Sequence, residues 1–132
     1  MQPLGKRAHS KYSLSQALEP QEANNLRFLQ AGASKVYITS RKASACESAV
    51  KALNGLPNLS PGAKAISVPA DSSKIEGVEH LVKEVMKTTD HVDILFANAG
   101  ATWGEAFDTH PDSAFAKVMD LNVKSVFNTI RL

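Results

Sequence analysis

Residues 93–100 read DILFANAG: an acidic residue, three large apolar residues, then Ala97, Asn98, Ala99 and Gly100. From Val92 to Ala97 the run is apolar on both faces apart from Asp93, the pattern of a central parallel strand covered by helices on each side. It ends on small residues, which let another group approach the backbone closely. Asn98 can donate and accept at once, so it can fix the turn or hold neighbouring backbone groups. An isolated Asn-Ala-Gly would be no more than a turn. Its neighbours decide otherwise.

Upstream, residues 34–40 (SKVYITS) are rich in β-branched and aromatic residues and predict a strand. Residues 42–55 predict a helix that stops at Asn54-Gly55. Residues 56–64 carry the Pro, Gly and Asn content of a loop, and 65–70 predict a second strand ending near Pro69. From 72 to 90, Ile75, Val78, Leu81, Val82, Val85 and Met86 recur at helical spacing. After a loop at 100–108, Thr109 with Asp112 resembles an acidic capping box opening a helix that runs on through Phe115, Val118, Met119 and Val126. Strand and helix therefore alternate from residue 34, which predicts βαβ units around a parallel sheet with ligands at the carboxyl ends of the strands. Residues 1–14 show no apolar periodicity and are read as loop, and 15–31 as a weak helix interrupted by Pro20. The division is thus an atypical segment over 1–30 and a partial dinucleotide-binding-type domain over 31–132.

The bulk numbers suit an ordinary globular chain: 132 residues, 43% hydrophobic, 21% charged, net charge +2. So small an excess argues for neither nucleic acid nor a membrane surface as partner. The most basic stretch, Lys6, Arg7, His9 and Lys11, is read as a solvated tail, with a targeting role as the alternative. No apolar run reaches the length of a membrane span, and the N-terminus lacks the apolar centre of a secretory signal, so a cytoplasmic location is expected. The single cysteine, Cys46, has no partner for an intrachain disulfide and is read as a packed thiol. His80, His91 and His110 lack metal-ligand spacing and are read as surface or cap residues, so no metal is expected. Trp103 and Phe107 are expected to line the apolar underside of their loop, with substrate contact as the alternative.

Three strand ends should face one crevice: Ser40-Arg41-Lys42, Ala70-Asp71-Ser72 and Asn98-Ala99-Gly100. Together HVDILFANAG and VMDLNVKSVFN, with GASKVYITSRK upstream and VPADSS between, resemble the short-chain dehydrogenase/reductase family over about residues 31–132. The most specific part is NAG followed by DLNV. The resemblance implies an incomplete Rossmann-like, doubly wound α/β sheet and hydride transfer between a nicotinamide cofactor and a carbonyl or alcohol. It implies that Asn98, Ala99 and Gly100 stabilise the sheet and leave room for the cofactor's adenosine side. It also implies that Asp71 contacts the adenine ring and that Asn122 is the catalytic asparagine. Plainer readings stand beside these: a helix N-cap for Asp71, and a local backbone bond or kink for Asn122.

At the strand end where such a fold meets the ribose, a carboxylate suits NAD and an arginine suits NADP. Here stand Ser40 and Arg41 with no carboxylate, which points to NADP, the plainer reading being a solvated strand end. The family's glycine-rich turn is absent, since Gly5 is the only glycine before residue 31. The Tyr-x-x-x-Lys pair is absent too. The sequence is therefore read as a fragment, or as catalytically incompetent as written, with a non-catalytic binding or dimerisation module as the alternative. In that alternative, the apolar face of the 109–132 helix would pair two copies. Residues 1–14 are not expected to fill the place of the family's first strand, which would leave the fold marginal.

Overall fold

The computed structural model describes residues 11–16, 22–57 and 59–132, with side chains from Asn25 onward. The basic residues Lys6, Arg7 and His9, and the interrupting Pro20, lie outside the described residues.

The elements run in chain order. They are β1 (Lys11–Gln16), α1 (Glu22–Gln30), β2 (Ala33–Thr39), α2 (Ala43–Asn54), β3 (Lys64–Ser67), α3 (Ile75–Val85) and β4 (Ile94–Phe96). A long final helix follows: α4 (Asp112–Met119), a π-helical turn (Asp120–Lys124) and α5 (Ser125–Arg131). The sheet is parallel, in the order β3-β2-β1-β4.

Two expectations fail here. Residues 11–16 are a strand, not a loop, and they fill the slot between β2 and β4. Ser13 pairs with Val36 on one side and Ile94 on the other, and Ser15 with Ile38 and Phe96. A ladder is made by backbone N–H and C=O groups, so a serine-rich segment can complete it where its neighbours supply the apolar surface. Secondly, β4 is the outer strand of the described sheet, not a central one: it pairs with β1 alone, and Ile94 is partly exposed.

β2 shows why the sheet is covered on both faces. Val36 and Ile38 pack with Leu29 of α1 and Cys46, Ala49 and Leu53 of α2. Tyr37, pointing the other way, packs with Val68 and with Leu81 and Val85 of α3. Helices thus flank the sheet on both faces, the doubly wound arrangement. The Tyr37 hydroxyl is satisfied by Thr88 Oγ1 at 2.7 Å. Cys46 is fully buried, as a packed thiol should be. Gly32 takes a left-handed φ of 97° in the turn from α1 to β2. Gly55, which follows α2, has φ −86°, and the helix stop is made instead by Asn54. Its amide donates to the Ala65 carbonyl at 3.0 Å and accepts the Ala65 N–H at 2.8 Å, tying the helix end to the outer strand β3.

Candidate functional site

The carboxyl ends of β2, β3 and β4 lead into the three segments singled out above. At the first, Ser40 Oγ accepts the Lys42 N–H at 3.2 Å, and the Ser40 carbonyl accepts the Ala70 N–H at 3.1 Å. The second bond joins the ends of β2 and β3, so Arg41 and Asp71 lie on one rim. Arg41 is exposed. α2 starts next to it, at Ala43, with no acidic residue in its first turn.

Asp71 is not the N-cap of the following helix, because α3 begins at Ile75 and its N-cap position is Lys74. The Asp71 carboxylate closes a short turn instead. Its Oδ1 accepts the Ser73 hydroxyl at 2.6 Å and the Ser73 N–H at 3.1 Å. The Ser73 hydroxyl bond holds this carboxyl below the usual carboxylate range. Partial burial pushes the other way, while the Ser73 N–H and the charges of Lys74 and Arg41 add to the lowering. The group is thus an anion at neutral pH, between two cations.

At the third end, the Asn122 amide spans the Ala101 backbone, accepting its N–H at 2.8 Å and donating to its carbonyl at 2.9 Å. A Cβ on Gly100 would stand 3.3 Å from Asn122 Oδ1, a tight approach that the glycine of the Asn-Ala-Gly turn relieves. Asn122 lies in the π turn, where the helix takes one residue more per turn. Asn98 is exposed and Ala99 half-buried. The structure therefore brings Ala101, Gly100 and Asn122 together, and Ser40, Arg41 and Asp71 together.

The capping box expected at Thr109 and Asp112 does not form. Pro111 takes the N-cap position of α4, and the Thr109 hydroxyl bonds Glu105 and the Ala106 carbonyl instead. Nor do the loop aromatics line an underside: Phe107 is wholly exposed and Trp103 half-exposed. His91 lies on the surface, its Nδ1 2.6 Å from Asp90. Among the described residues, no group of three or more His, Cys, Asp or Glu side chains could hold a metal, and no helix is long and apolar enough to cross a membrane.

A parallel, doubly wound sheet with a bonded rim at its strand ends defines a Rossmann-type α/β domain. The sequence profile of the short chain dehydrogenases matches residues 23–132, and the chain belongs to that family. It is 37% identical over 103 residues to a rhamnolipids biosynthesis 3-oxoacyl-[acyl-carrier-protein] reductase of Pseudomonas aeruginosa, covering 78% of this chain and 38% of that protein. It is 31% identical over 102 residues to a 3alpha-hydroxysteroid dehydrogenase of Mediterraneibacter gnavus, covering 77% and 39%. The chain thus spans about two fifths of the length of the curated relatives it matches. Among solved structures, the Pseudomonas aeruginosa RhlG/NADP active-site complex superposes with a TM-score of 0.78 at 31% identity, covering 94% of this chain and 46% of that one. A metagenomic short-chain oxidoreductase in complex with NADP gives 0.81 at 18% identity, covering 92% and 54%, a likeness of fold alone.

The rim's chemistry fits the adenosine end of such a cofactor. Residues 40–42 offer a hydroxyl and two cations with no carboxylate, groups that could hold an anionic part of a nicotinamide cofactor. Residues 17–21, between β1 and α1, lie outside the described residues.

Proposed function

We propose that these residues hold the adenosine 2′-phosphate end of NADP, with Arg41 and Ser40 on the phosphate, Asp71 on the adenine and the Asn98–Gly100 turn leaving room beside it. The family reaction passes a hydride from the reduced nicotinamide cofactor to a carbonyl, or from an alcohol to the oxidised cofactor. The observation that carries this reading is that Asp71 and the exposed Arg41 stand on one rim, joined by the bond from the Ala70 N–H to the Ser40 carbonyl, with no carboxylate in residues 40–42. The relatives' names, a 3-oxoacyl reductase and a hydroxysteroid dehydrogenase, support a carbonyl or alcohol as the substrate class.

The same reading assigns no hydride transfer to these 132 residues alone. Carbonyl reduction needs a proton donor at the developing alkoxide. Tyr37 is buried and its hydroxyl is bonded to Thr88, away from the strand ends. Neither Tyr12 nor Tyr37 has a lysine four positions on. The role proposed for Asn122 is to brace the loop at Ala101 beside the reacting end.

Calorimetric titration with NADP and NAD tests the proposal. NADP is expected to bind at least about tenfold more tightly, since a charge-assisted phosphate contact contributes about 1.5–3 kcal/mol. Arg41→Ala should erase the difference. Equal affinities in the unaltered chain would refute the assignment of Arg41.

A second reading, a self-associating module, is favoured by one observation. Phe115, Met119, Val123, Phe127 and Ile130 are all exposed along the final helix. Such a stripe is the kind of surface that a second copy covers.

A further inference from the structure

We propose that the outer edge of β4, with the groove between α3, β4 and α5, is a docking surface for one further parallel strand, brought by a polypeptide that carries the complementary part of the same fold. This inference does not rest on the cofactor reading.

The two edges of the described sheet differ. On β3, the Asn54 amide takes both the N–H and the carbonyl of Ala65, as a neighbouring strand would, and so occupies that edge. Among the described residues, β4 has β1 as its only strand partner. Beside β4 lies a groove of about 420 Å³. Leu81, Val85 and Met86 at the end of α3, Leu95 of β4, and Ile130 and Leu132 at the end of the final helix line it. Asp93 is the only charged residue of that lining. A strand suits such a place, because its backbone bonds the open edge while its apolar side chains fill the groove.

The topology gives the direction of that strand. α1 and α2 cover one face of the sheet and carry the chain outward from β1 to β3. α3 covers the other face and carries it back to β4. α5 packs against α3, on that same face. Parallel crossovers are right-handed, so a helix on this face moves the chain in the direction from β3 toward β4. A strand that follows such a helix therefore lies beyond β4 and parallel to it, and Ile130 and Leu132 already stand at the groove it would fill. This chain spans about two fifths of the length of its curated relatives, which therefore carry further residues able to supply the strand.

The full chain is co-expressed with the part of the Pseudomonas aeruginosa 3-oxoacyl reductase that follows its aligned stretch, and only the latter is tagged. Native mass spectrometry of the purified product should show a one-to-one complex. In that complex, hydrogen exchange should slow at least about tenfold at one or more amides of Ile94–Phe96 and stay unchanged at Lys64–Ser67. Ile130→Glu places its charge where the lone chain is mostly exposed to water. It should reduce the complex at least about tenfold, because docking would bury an unpaired carboxylate. Phe127→Glu, exposed and outside the groove, should leave the complex intact. Absence of a complex overturns the proposal. So does a complex in which the exchange of β4 is unchanged, or one that Phe127→Glu abolishes and Ile130→Glu leaves.

Discussion

Asn122 shows how one side chain can hold two segments 21 positions apart. Its amide satisfies both the donor and the acceptor of Ala101. Net hydrogen-bond contributions are about 0.5–1.5 kcal/mol each, and exposure puts this pair at the low end. Asn122→Ala should therefore cost about 1 kcal/mol in urea denaturation, and the Ala101 amide should exchange with solvent faster than in the unaltered chain. Unchanged exchange would mean that the clamp is not populated in solution. Asp71 makes a prediction about pH. Its folded pKa is depressed, so the stability it adds is present above the unfolded carboxylate value and is lost as pH falls through the folded one. The urea midpoint of Asp71→Asn should accordingly lie below that of the unaltered chain at pH 7, and the gap should narrow as pH falls below the unfolded carboxylate value. A gap that does not change with pH would assign the effect to something other than the charge.

At the scale of elements, the central position of β1 is the decisive feature. Each of its middle residues pairs on both sides, so a proline there must break a ladder bond. Leu14→Pro should abolish cooperative thermal unfolding, followed by circular dichroism. A variant that still melts cooperatively would show that β1 is dispensable. Most of the other elements were legible in the sequence. The β-branched run over 34–40 and the helical spacing over 72–90 place β2 and α3 within a few residues, because packing on the core enforces those patterns. KYSLSQ was not legible as a strand. It has one aliphatic residue, and its conformation is set by the ladders of β2 and β4, not by its own composition. The π turn was not legible either, since an i→i+5 bond has no residue signature of its own. Part of the site could be read. NAG and DLNV pointed to Gly100 and Asn122, which the fold brings together. The contact of Gly77 with Asp71, where a Cβ would meet the Asp71 carbonyl oxygen, is a matter of three-dimensional approach between backbones, and nothing in a lone helical glycine announces it.

At the scale of the molecule, the two faces of the final helix differ in character. Ser125, Asn128 and Thr129 are buried toward the body of the domain, while Phe127 and Ile130, at 62% and 69% exposure, face outward. Covering such a stripe with a second copy would remove large apolar groups from water at about 25 cal/mol per Å². Sedimentation velocity at micromolar concentration should show a dimer that Phe127→Glu converts to monomer. A monomer in both would leave the second reading without support. The central claim, that the joined ends of β2 and β3 take the 2′-phosphorylated adenosine, is tested most directly by ¹⁵N NMR of the full chain titrated with adenosine 2′,5′-bisphosphate. The account predicts saturable shifts concentrated in the amides of residues 40–43 and 70–74, lost in Arg41→Ala. Shifts that are absent, or that fall elsewhere on the molecule, would contradict it.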